Sequence, residues 1–193
     1  MFSFEHIIFA FFCLSFLGWI AETINESITR KKFVNKGFFK SPFVPCQGLG
    51  GLGAYFLGSL FREDPELVFL SGFIAATATE YLTAILLEKC FSVKCWDYRT
   101  YPHIRWCHFQ GRIALTTSLF FGFATMFVVY IFWDICMYLA NRIGRYLWVL
   151  DALMITVFFA DIFCTCKKYL NYKRKGVKVK GSYAVFSDAQ DFE

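Results

Sequence analysis

Apolar residues run along this chain in five long blocks separated by short charged ones. The blocks approach the roughly 20 residues that cross a bilayer as an α-helix. They predict an all-α integral membrane bundle with transmembrane helices at Phe4–Asn25, Cys46–Phe61, Leu67–Leu87, Ile113–Trp133 and Tyr146–Cys166. The helices make up a domain over residues 1–166, followed by a tail over 167–193 that is basic and then polar. The second block is short and rich in glycine, so a re-entrant segment is the alternative to a full span there. Polar and small residues inside the blocks recur at helical spacing. Ser15, Gly18, Glu22 and Asn25 share a face of the first. Cys46, Gly50, Ala54 and Gly58 form a row in the second, and Gly72, Ala76, Glu80, Ala84 and Glu88 one in the third. Such rows turn toward other helices, because lipid offers them no partner. Trp133, Tyr138 and Trp148 suit the outer membrane interface.

Composition agrees with this pattern and charge orients it. The chain is 57% hydrophobic and 18% charged, too apolar for an ordinary soluble domain. Of its 20 Lys and Arg, 17 fall in the first and third connections and the tail, against Arg62, Arg142 and Arg145 elsewhere. The positive-inside rule then predicts an external N-terminus, five crossings, a cytoplasmic C-terminus and a multi-pass location in the cell membrane. The first five residues carry no Lys or Arg and the first apolar run is long, which favours a retained helix over a signal peptide. The lipid bilayer is the expected partner. The basic stretch Lys167–Lys180 would attract anionic lipid or simply hold the topology, and nothing points to nucleic acid.

Candidate chemistry gathers at the predicted cytoplasmic boundary, in Glu22, Glu80, Asp97 and Arg112. A charge at membrane depth costs on the order of 2.5–3.5 kcal/mol, so Glu80 needs a partner, a proton or water. Arg112 is the evident cation, able to hold a carboxylate through two parallel bonds. The cluster reads either as a cytoplasm-facing polar pocket or as an ion pair tying three helices together. Trp96 and Tyr98, beside Asp97, would shape the mouth of the pocket or anchor the interface. Cys95, His103, Cys107 and His108 match no zinc spacing, and neither a metal nor a cofactor is expected. The eight cysteines read as free thiols. No G-x-x-x-x-G-K-[ST] occurs, so the chain is not its own ATPase.

The stretches FLGWIAET (16–23), KKFVNKGFF (31–39), EYLTAILLEKCF (80–91), WDY (96–98) and GRIAL (111–115) resemble the type IV ABC-transporter permease family of small bacterial integral membrane proteins. Gly18, Trp19, Glu22, Asn35, Gly37, Gly48, Glu80, Tyr81, Trp96, Asp97, Tyr98, Gly111 and Arg112 fall on its signature positions. The chain departs from the family pattern at Lys36, where Arg is usual. It departs again at Pro45-Cys46-Gln47-Gly48, where Pro-Ile-Tyr-Gly is usual, and at His108, where Asn is usual. The resemblance implies a permease component of a transporter, with any ATPase on a separate subunit, and adds Asn35 to the candidate substrate-binding set of Glu22, Glu80, Trp96, Asp97, Tyr98 and Arg112. Two other readings stay open. One is a membrane-embedded enzyme acting on lipid or isoprenoid headgroups, which lacks the D-D-x-x-D repeat of its best-known form. The other is a non-catalytic membrane partner or regulatory subunit.

Overall fold

Proline in the first turn starts two of the helices, and left-handed residues end two of them. In the computed structural model, which describes residues 3–100, 106–175 and 179–180, these signals bound α1 (Phe4–Arg30), α2 (Pro45–Ser59) and α3 (Pro65–Phe91). Pro45 and Pro65 open α2 and α3, while Lys31 and Ser92 close α1 and α3. The fourth helical body extends from Leu115 to Arg174. Within it α4 (Leu115–Phe127) passes through a π turn into α5 (Trp133–Ile143), and a 3-10 turn at Gly144–Tyr146 leads into α6 (Leu147–Arg174). Four two-residue strands occur among the described residues. β1 (Val93–Lys94) pairs in parallel with β4 (Val179–Lys180), and β2 (His108–Phe109) forms a hairpin with β3 (Ile113–Ala114).

Among the described residues three stretches, not five, are long and apolar enough to cross a membrane: Phe4–Ile28, Pro65–Phe91 and Leu115–Arg174. The five-helix expectation is corrected in two places. At Cys46–Phe61 the helix α2 has only 15 residues, or about 22 Å of rise against a hydrocarbon core of about 30 Å. It is short because the loop before it dips back along α1. The Val44 N–H donates to the carbonyl of Ser15 at 3.1 Å, so α2 starts well inside the level at which α1 ends. Irregular backbone at that depth must be satisfied by protein. Asp161 of α6 does this: one carboxylate oxygen accepts from the Ser41 N–H at 2.6 Å and the other from the Thr165 hydroxyl at 2.9 Å.

The second correction concerns Ile113–Trp133 and Tyr146–Cys166. These blocks are parts of one 60-residue helical run rather than separate helices. The run reverses at Gly144, whose φ of 58° and ψ of −127° are open to glycine. Both of its ends return to the end of α3. Arg112, just before the run, pairs with Glu88, and the Lys173 ammonium donates to the carbonyls of Lys89 and Cys90 at 2.8 and 3.0 Å.

The predicted rows do face inward in α2 and α3, where Gly50, Ala54, Gly58, Gly72, Glu80 and Ala84 are buried. In α1 the row rotates. Ser15 is fully buried, but Thr23 and Glu26 replace the exposed Asn25 near its end. Trp133 is not at an interface either. It is 1% exposed and stacks on Tyr55 at 3.5 Å, among Val68, Val129, Cys136 and Leu147. Tyr138 and Trp148 are exposed, as an interfacial position requires. None of the eight cysteines is joined in a disulfide.

Candidate functional site

Glu80 lies on the inward row of α3 and is 7% exposed. One of its oxygens accepts from the Tyr98 hydroxyl at 2.6 Å, and the other has no hydrogen-bond partner. Tyr98 reaches it from the connection between α3 and α4. That connection is folded tightly enough to aim a side chain. The Tyr98 N–H donates to the Gly111 carbonyl at 2.9 Å, and the Trp96 indole N–H donates to the Arg112 carbonyl at 2.8 Å. Burial, and then the charge of Glu80, push the Tyr98 phenol well above its ordinary range, which keeps it a donor.

Asp97 belongs to the same scaffold. It accepts from Lys94 at 2.7 Å and from the Arg99 guanidinium at 2.7 and 2.8 Å. Its bonds with Arg99, joined by those with Lys94, hold its carboxyl well below the usual carboxylate range against the opposing effect of burial. Gly111, at φ 71°, closes the turn. A Cβ there would lie 2.3 Å from an Asp97 oxygen, so the close approach needs glycine.

Arg112 is not the partner of Glu22 or Glu80. Its guanidinium bonds Glu88 Oε2 through Nε at 3.2 Å and a terminal nitrogen at 2.5 Å, also donates to Gln110, and lies 5.9 Å from the Tyr81 ring centre. Asn35 is engaged elsewhere too, accepting from the Trp19 indole N–H at 2.6 Å and so holding the first connection against α1. The seven candidates thus separate. Glu22, Glu80 and Tyr98 converge on the interior. Trp96, Asp97 and Arg112 build the connection that delivers Tyr98, and Asn35 pins the neighbouring loop.

Two residues that sequence reasoning passed over join the interior group. Gln47, in the first turn of α2, donates its amide N–H to Glu22 at 3.0 Å. Beside it, Cys46 lies within electrostatic range of both Glu22 and Glu80. The α2 N-terminus therefore lies close to both acids, where the helix dipole favours negative charge. Lys36 is the cation in range of Glu80. Its backbone N–H donates to Thr23 at 3.3 Å and its ammonium pairs at 3.3 Å with the shielded Glu26. The signal for Gln47 was an amide beside a row of small residues. The signal for Lys36 was masked by its place in a basic loop. Among the described residues no group of three or more His, Cys, Asp or Glu could hold a metal, and His103 lies outside them.

Long apolar helices with inward carboxylates define the chain as a multi-pass membrane protein. More particularly, it belongs to the family described as "Putative ABC-transporter type IV", whose model matches residues 9–166, and its general role is membrane transport as a permease. No curated protein and no solved structure matches it.

Proposed function

We propose that the chain is the permease component of a transporter, any ATPase being a separate chain, with Glu22 and Glu80 as its substrate- or proton-binding acids. The observation that supports this is the Glu80 carboxylate, buried at membrane depth with one oxygen held by Tyr98 and the other unpartnered. A carboxylate with a purely structural role would have both oxygens satisfied, as those of Asp161 are by Ser41 and Thr165. Glu22 lies within electrostatic range of Glu80, and Gln47 donates to Glu22. A proton or a cationic group taken up there would be bound by two acids and released when Glu80 exchanges partners. Tyr98 orients Glu80, and Trp96, Asp97 and Arg112 act at one remove by fixing Tyr98. In this reading the chain carries no catalytic residue of its own.

In proteoliposomes loaded with a pH-sensitive dye, Glu80→Gln is expected to abolish proton-coupled flux while leaving the melting temperature of the protein close to that of the parent. Glu88→Gln, which breaks the Arg112 pair, is expected to lower the melting temperature instead. Full flux in a folded Glu80→Gln protein would sink the proposal.

A further inference from the structure

The loop that dips between α1 and α2 carries a lysine down with it. Phe38 stacks on Tyr169, Phe39 meets Phe158 at 5.6 Å, and the Ser41 N–H donates to Asp161. Residues 38–41 therefore lie along α6, and Asp161 holds the Lys40 backbone as well as that of Ser41. The Lys40 side chain is exposed. No carboxylate among the described residues pairs with its ammonium. The oxygens of Asp161, the acid that α6 brings to this segment, are taken by Ser41 and Thr165.

Depth makes this lysine unusual. The exposed Trp148 marks one membrane interface on α6, and Lys167 stands 19 residues further on, about 28 Å along the axis. That matches a hydrocarbon core of about 30 Å, so Lys167 and Lys168 mark the other interface. Asp161 is six residues short of Lys167, about 9 Å inside it. The surface of α6 at this level is apolar and open to lipid, with Phe159 and Phe163 63 and 69% exposed. An exposed lysine at such depth is costly without an anion, and its flexible stem lets the ammonium reach toward the interface. Reaching that way brings it toward Lys168, which shares the Asp161 face of α6 seven residues on and lies 5.6 Å from the Tyr172 ring centre. Two ammoniums that approach each other call for an anion from outside the described residues.

We propose that Lys40 and Lys168 bind the phosphate of an anionic phospholipid, drawn down at the dip, with its acyl chains along Phe159 and Phe163. The apolar surface around the lysines selects a lipid over a soluble phosphate, which has nothing to set against it. Charge then selects among lipids. A choline headgroup would bring a further cation to the lysines, whereas phosphatidylglycerol brings only its phosphate charge. This site is independent of the Glu22–Glu80 reading, since it rests on exposed residues of the first connection and α6.

The full chain in a neutral detergent can be titrated with dioleoylphosphatidylglycerol or dioleoylphosphatidylcholine, and the bound lipid counted by native mass spectrometry. A saturable phosphatidylglycerol adduct is expected in preference to phosphatidylcholine, and free glycerol 3-phosphate should not displace it. Lys40→Gln and Lys168→Gln should each weaken it about fivefold, as expected for loss of one basic contact at a membrane surface, at an unchanged melting temperature. Lys175→Gln, just past the end of α6, should bind as the parent does. Equal binding of phosphatidylcholine, displacement by glycerol 3-phosphate, or parental affinity in folded Lys40→Gln would overturn the site. An equal loss in Lys175→Gln would also overturn it, by spreading the attraction over the whole basic tail. Should Lys40→Gln fail to fold, parental affinity in Lys168→Gln overturns it alone.

Discussion

Glu80 and Arg112 are the two charges that bracket the α3–α4 connection, and the structure gives them different partners. Glu80 is tied to a phenol and Arg112 to Glu88. The acids were legible in the sequence, because a carboxylate inside an apolar run stands out against its neighbours. The pairing was not legible, because Glu80 and Glu88 share one row and only the turn at Gly111 decides which of them Arg112 meets. Removing the phenol hydroxyl tests the first contact. Tyr98→Phe leaves both Glu80 oxygens without a donor and is expected to cost about 1–3 kcal/mol, read as a lower melting temperature in detergent. Asp97 provides a prediction in pH. A carboxyl whose folded pKa is depressed adds stability above its unfolded value near 4, and that stability is lost as pH falls through the folded value. Asp97→Asn should therefore lower the melting temperature by a constant amount between about pH 5 and 8, and by progressively less in stronger acid.

At the scale of elements, the informative case is α2. Its small-residue row was readable from a period of four, and the row is buried as that period requires. Its failure to reach full length was only half readable. Pro45 marks the start, but the dip of the preceding loop follows no period: Phe38, Phe39 and Phe43 are interrupted by Lys40, Ser41 and Pro42. Contacts hold the dip in place. Phe38 stacks on Tyr169 at 4.7 Å, Phe43 meets Phe12 at 5.1 Å, and Asp161 accepts from Ser41. Asp161, a carboxylate inside an apolar block as Glu80 is, serves as an acceptor for loop backbone. Asp161→Ala should destabilise by about 1–3 kcal/mol and speed proteolysis within residues 36–44. Asp161→Asn, which keeps an acceptor, should do so less.

For the molecule as a whole, membrane character and helix content followed from composition and hydropathy, while the count of separate spanning helices did not. Block counting treats Ile113–Trp133 and Tyr146–Cys166 as two objects. A reversal made by Gly144 and a 3-10 turn keeps them in one helical run. The reversal is testable through its ends. With Lys173→Cys as the added thiol, a short bismaleimide should bridge it to Cys90, since the Lys173 ammonium lies 3.0 Å from the Cys90 carbonyl. The bridge is read as a larger fragment surviving cleavage between the two positions, and its absence would separate the ends of α3 and α6. The loop that dips to Ser15 also has an electrical consequence. Membrane voltage falls across the low-dielectric part of a bilayer, at about 2.3 kcal/mol per elementary charge per 100 mV for the full drop. Polar backbone hydrogen-bonded at the level of Ser15, about 15 Å along α1 from Asn25, narrows the insulating layer there. A charge moving past Glu22 and Gln47 would meet a steeper gradient over a shorter path, and the voltage would act on it as on cargo crossing a thinner wall.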